Sequence, residues 1–209
     1  NNSSVDLLYT EAAENGNSNF VIKGSSASMR YGGIFEAYDV NGKTGNGAGI
    51  YAENASNLTI RNSVIADNEK YGVFSRNSQS SFQNNIFGKN DTTLSYNGAG
   101  LYVDNGSAEV VNNIFGYNNN AIGSAGANLT VNYNDFFENR NDFGAVTAQS
   151  GNLYENPIFV SEYFVPEGQY ARQDSGFDYF AFKLAPGSPL IDRGDPEIIN
   201  PDSSRSDMG

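Results

Sequence analysis

The 209 residues contain no histidine, no cysteine and no tryptophan. That excludes imidazole acid–base chemistry, imidazole metal sites and disulfides. Carboxylates, scattered cations, amides and tyrosines are left to do chemistry. Asp192, Asp195, Asp202 and Asp207 crowd into a Gly- and Pro-rich tail; with backbone carbonyls they form a candidate Ca2+ loop, although the same residues suit turns and caps. The cations of the middle of the chain, Arg61, Lys70, Arg76, Lys89 and Arg140, do not recur at one position. Among Asp67, Glu69, Asp91, Glu138 and Asp142 no pair can be singled out as an acid–base couple, so catalytic residues stay unknown. Asp67, Lys89 and Glu138 each precede an asparagine of a repeating series. They form either an outward column of alternating charge or a solvated turn with weak ion pairing. Tyr51, Phe74 and Tyr102 recur at equivalent places and make a candidate stripe for carbohydrate or a partner.

What must position these residues is a repeat. Arg61-Asn62-Ser63-Val64-Ile65-Ala66-Asp67-Asn68 returns as Gln83-Asn84-Asn85-Ile86-Phe87-Gly88-Lys89-Asn90, and the pattern returns twice more, at 111–118 and 132–139. The closing asparagines, Asn68, Asn90, Asn118 and Asn139, are 22, 28 and 21 residues apart. A period in the low twenties, rich in Asn, Gly and β-branched or aromatic residues, is the mark of a solenoid of short strands and turns. A second module, Asn46-Gly47-Ala48-Gly49-Ile50-Tyr51, recurs as Asn97-Gly98-Ala99-Gly100-Leu101-Tyr102, with a shorter version at Tyr71-Gly72-Val73-Phe74. Three strands per coil without helical periodicity predict an all-β parallel β-helix of about six coils. The longer step predicts a loop at 91–96, and a second loop is expected at 41–46.

Alternation assigns faces. Placing Val64, Ile86 and Ile114 in the core sends Ile65, Phe87, Phe115 and Phe136 outward, where the tail is expected to cover them. Ile34-Phe35 aligns with Val64-Ile65, and Asp135 interrupts the series at the Ile114 position, through a register shift or by lying in a turn. Inward Ile50, Val73 and Leu101 leave Tyr51, Phe74 and Tyr102 outside. Asn68, Asn90, Asn118 and Asn139 are expected to stack as a structural ladder, and Asn84, Asn85, Asn112, Asn113 and Asn134 to serve a neighbouring turn.

One domain, 1–209, accommodates this: an N-terminal cap at 1–18, coils over 19–159, and an aromatic C-terminal excursion and cap at 160–209. A formal charge of −12 disfavours nucleic acid and anionic membranes as partners. No apolar run is long enough for a membrane span. Starting at Asn1 without a signal peptide, the chain has the form of a mature or trimmed product.

The Asn-Asn-apolar-apolar coils, Asn156-Pro157-Ile158-Phe159, Ser188-Pro189-Leu190-Ile191-Asp192-Arg193-Gly194 and Arg205-Ser206-Asp207-Met208-Gly209 resemble bacterial right-handed parallel β-helix repeat proteins of the pectate-lyase-like superfamily. The resemblance implies a right-handed solenoid, an extracellular or cell-surface location, and a parent polypeptide that continues past Gly209. It does not fix an activity, because the fold hosts lyases, hydrolases, epimerases, adhesins and non-catalytic proteins. A lyase of this kind would need a cation to take a proton beside a uronate carboxylate, with Ca2+ bound by acidic oxygens. The leading expectation is a non-catalytic solenoid that binds polysaccharide or builds surface structure. The alternatives are a polysaccharide lyase, and a subunit that pairs with neighbouring copies of itself in a filament or layer.

Overall fold

Left-handed corners set the architecture. Tyr9, Tyr31, Asn62, Asn84, Asn112 and Tyr133 have φ between 49° and 56° at one corner, and Glu36, Asp67, Lys89, Tyr117 and Glu138 have φ between 50° and 57° at another. One such residue turns the chain sharply between short strands, and asparagine tolerates it best. The computed structural model describes residues 3–13, 15–37, 47–55, 57–91, 98–147, 149–160 and 182–209. The expected loop at 41–46, all of the one at 91–96 but Asp91, and most of the aromatic excursion therefore lie outside the described residues.

Each coil lays down three strands. The first rungs are β1 (Ser4–Leu8), β2 (Glu11–Ala13), β3 (Ser18–Lys23), β4 (Ser26–Arg30), β5 (Gly33–Phe35), β6 (Ala48–Glu53), β7 (Leu58–Arg61) and β8 (Val64–Ala66). The later rungs are β9 (Tyr71–Gln83), β10 (Ile86–Gly88), β11 (Ala99–Val111), β12 (Ile114–Gly116), β13 (Asn120–Ala125), β14 (Asn128–Asn132), β15 (Asp135–Phe137) and β16 (Asn141–Gly144). The first face runs β3-β6-β9-β11-β13-β16, and the second carries β1-β4-β7, the ends of β9 and β11, and β14. Strands β9 and β11 turn the corner between these faces at Asn77 and Asn105, both left-handed. The third face is the six-stranded sheet β2-β5-β8-β10-β12-β15, one strand per coil. All these pairings are parallel, and parallel crossovers close right-handedly. The fold is a right-handed parallel β-helix.

Within the expected N-terminal cap, β1 and β2 pair in register with β4 and β5 and form the first rung. Two details of the sequence reading change. Ile34 stands against Ile65, and Phe35 against Ala66, one place from the expected alignment. The third-face register is inverted. Ile34, Ile65, Phe87, Phe115 and Phe136 lie in the central core, with Phe87, Phe115 and Phe136 stacked at 4.7 and 5.3 Å. Val64, Ile86 and Ile114 face outward under Phe182, Leu190 and Met208 of the C-terminal segment. Both residues of each pair are apolar because both sides are buried, so alternation alone could not choose between them. The asparagines could have: Asn85 points inward, which sends Ile86 out and Phe87 in.

Candidate functional site

Two asparagine ladders hold the rungs in axial register. Asn68 donates from its backbone N–H (3.2 Å) and Nδ2 (3.0 Å) to Asn90 Oδ1. Asn90 does the same to Asn118 at 3.0 and 2.9 Å, and Asn118 to Asn139 at 3.0 and 3.0 Å. The second ladder runs Ser63, Asn85, Asn113, Asn134 and Asn152. Each asparagine of the two ladders also donates to backbone carbonyls, as Asn113 does to Phe82 and Val111, which satisfies groups that burial would otherwise orphan. The outer residues of the asparagine doublets act differently: Asn84 donates to Ser206 Oγ and Asp207 O, and Asn112 Oδ1 accepts from Asp195 N. They fasten the C-terminal segment.

On the first face Tyr51, Phe74 and Tyr102 form one outward column. Their rings stack face to face, 5.5 and 5.6 Å apart with planes at 1° and 4°. Tyr51 is 4% and Phe74 8% exposed. The ring faces are therefore taken by one another, and only edges and hydroxyls are left for a ligand. Tyr71 tilts against Phe74 and Tyr102, and its hydroxyl is pushed up to about 12 by burial, then by Tyr102 and Asp91. The far side of Tyr102 rests on Gly123, where a Cβ would come within 2.6 Å of the ring. Beside the rings runs a second register column, Lys23, Glu53, Arg76 and Asp104. Arg76 Nε donates to Asp104 Oδ2 at 2.7 Å and its guanidinium lies 5.1 Å from the Phe74 ring centre; Lys23 reaches Glu53 at 3.5 Å. The charges alternate in sign along this column.

The second face turns rows of hydroxyls and amides outward. One row is Asn57, Gln79, Ser107 and Asn128, and the next is Thr59, Ser81, Glu109 and Thr130. All of these but Thr59, the Glu109 carboxylate included, border a shallow depression of about 240 Å³.

The description "Periplasmic copper-binding protein (NosD)" belongs to a family that matches residues 1–172. The chain belongs to that family. NosD is a periplasmic family, consistent with the expected placement outside the cytoplasm. No helix among the described residues is long and apolar enough to cross a membrane. The copper of the family's description does not fit the donors of this chain. Copper favours imidazole, thiolate and thioether ligands, whereas these residues hold no histidine or cysteine. The two methionines, Met29 and Met208, are buried in separate cores. Among solved structures, "Crystal structure of pectate lyase Pel9A" is similar to 98% of this NosD-family chain at 15% identity, with a TM-score of 0.60. This chain spans 64% of the length of that one. The likeness shows the fold. No curated protein matches.

The tail aspartates of this NosD-family domain are used locally. Asp207 Oδ1 accepts from Asp192 N, Asp195 Oδ1 from Glu197 N, and Asp202 Oδ1 from Ser204 N and Oγ. The Ser204 bonds hold the Asp202 carboxyl below its ordinary value. Among the described residues no three Asp, Glu, His or Cys side chains converge as a metal site. Asp135 is a residue the sequence reading misplaced. The register is unbroken, Ile114 against Asp135, and the strand points this fully buried carboxylate to the covered outer side. Oδ1 accepts from Glu155 N at 2.9 Å, while Oδ2 has no partner. Tyr9 and Tyr31 were also missed, although one coil length separates them and each begins a corner.

Proposed function

We propose that this chain is a non-catalytic, polysaccharide-binding β-helix outside the cytoplasm, and that its second face holds the polymer. The observation that supports this is the pair of polar rows beside the depression. Sugars donate and accept, and so do hydroxyls and amides; rungs repeating at about 4.8 Å offer a repeating polymer the same groups several times. Water-bridged contacts add to such a surface without deep enclosure. On this reading Tyr51, Phe74 and Tyr102 meet a ligand or partner only through ring edges and tyrosine hydroxyls.

Affinity electrophoresis against a panel of neutral and acidic polysaccharides tests it. The wild type should be retarded by at least one polymer, and Gln79→Ala with Thr130→Ala should weaken that retardation several-fold without lowering Tm. No retardation by any polymer overturns the reading. An unsaturated, ultraviolet-absorbing product from a uronate polymer would replace it with a lyase, and large particles in light scattering would replace it with an assembly.

A further inference from the structure

The depression on the second face has one charged side chain on its border. The rest of that border is amides, hydroxyls and an alanine, with no lysine or arginine. Glu109 is exposed and stands in register between Ser81 on the rung before and Thr130 on the rung after, about 4.8 Å to either side. Two residues back on the same strand, Ser107 stands likewise between Gln79 and Asn128. Among the described residues the Glu109 carboxylate has no ion pair; Lys23, Arg30 and Arg76 go to other acids. A ligand lying along these rows covers Glu109, and a carboxylate taken from water without a counter-charge is costly. A uronate brings it a second anion, and a neutral hydroxyl brings one uncharged hydrogen bond. Calcium needs more acidic oxygens than one carboxylate supplies, and among the described residues no three Asp, Glu, His or Cys side chains converge. An ammonium brings one positive charge and three donors, and charge-assisted bonds are about twice as strong as neutral ones. Those donors match a carboxylate with a hydroxyl on either side.

We propose that the second face takes an amino sugar, with Glu109 receiving its protonated amine and the Ser81 and Thr130 hydroxyls accepting the remaining hydrogens. The Gln79 and Asn128 amides and the Ser107 hydroxyl then bond the hydroxyls of the same or the neighbouring ring. A net charge of −12 draws any polycation towards the chain, so the assignment turns on this one carboxylate and not on attraction as such. This inference rests on the polysaccharide-binding reading and names the class of sugar for that same face.

The test titrates the full chain by calorimetry at about pH 6, where amino sugars carry their proton. The ligands are glucosamine oligomers, N-acetylglucosamine oligomers of equal length, and glucuronate oligomers. The free amine should bind about fivefold more tightly than the acetylated form, and glucuronate most weakly. Glu109→Gln should remove the amine preference with Tm unchanged, and Glu109→Asp should keep part of it. Glu197→Gln, which removes the same charge from an exposed position of the C-terminal segment, should leave it intact. An amine preference that is absent, that survives Glu109→Gln, or that falls equally in Glu197→Gln overturns the assignment, as does tighter binding of glucuronate. Binding of the acetylated oligomer that weakens in Gln79→Ala with Thr130→Ala, without an amine preference, keeps the polymer reading and removes this one. An amine preference lost only in the Glu109 variant, with no response to the Gln79 and Thr130 changes, keeps the amine site and removes the extended polymer surface.

Discussion

Asp135 shows how far one residue's position decides its behaviour. Burial is the first cause that pushes its carboxyl up to about 7, opposed by the Glu155 N–H and reinforced by Glu155 and Asp142. The ordinary value is 3.8, so the native state keeps a proton that the unfolded chain releases. The native state is favoured most at and below about pH 4, and that advantage is lost as pH rises through about 7. Asp135→Asn should remove this slope. Thermal melts at about pH 5 and pH 8 check it: the Tm of the variant minus that of wild type should grow with pH, and a constant difference would show the carboxylate to be solvated.

The elements owe their register to paired amides, and the cost of losing one follows from burial. Asn113 is fully buried, accepts from Asn85 twice, and donates to Asn134, Phe82 and Val111. Asn113→Ala leaves several of these groups unpaired and should destabilise by about 2–4 kcal/mol in denaturant melts. A loss below about 0.5 kcal/mol would mean that water replaces the amide. In the aromatic column, Phe74→Ala removes a ring held between Tyr51 and Tyr102 and should cost about 3 kcal/mol in the same assay. Asn84 and Asn112 belong to a different element, the seam with the C-terminal segment. Asn84→Ala should raise hydrogen exchange around 204–209 while leaving the ladder amides protected. Uniform deprotection would mean that segment and solenoid unfold together.

Across the whole molecule the C-terminal segment closes an apolar face that the repeat leaves open. Phe182, Leu190 and Met208 cover Val64, Ile86 and Ile114. Truncation after Val160 should expose that face, so the shortened chain should bind an apolar dye and form larger particles in light scattering. A monomeric, dye-silent truncation would show that the solenoid covers the face by other means. The family's copper finds no counterpart at this scale either, because the chain supplies carboxylates and amides where copper prefers imidazole and sulfur. The charge column Lys23, Glu53, Arg76 and Asp104 exists only once four coils are stacked.

The sequence alone determined the repeat, the three strands per coil, the asparagine period and the outward place of Tyr51, Phe74 and Tyr102. These are local properties, written in spacing and residue type. It did not determine which of two adjacent apolar residues entered the core, because both positions are dry and period-two patterning needs one wet side. It did not show that tyrosine faces would be spent on one another, or that Ser81, Glu109 and Thr130 would be neighbours, because coaxial stacking joins residues a whole coil apart. Only the tertiary structure settles which residues of different coils share a column, since that depends on the exact length of every loop between them.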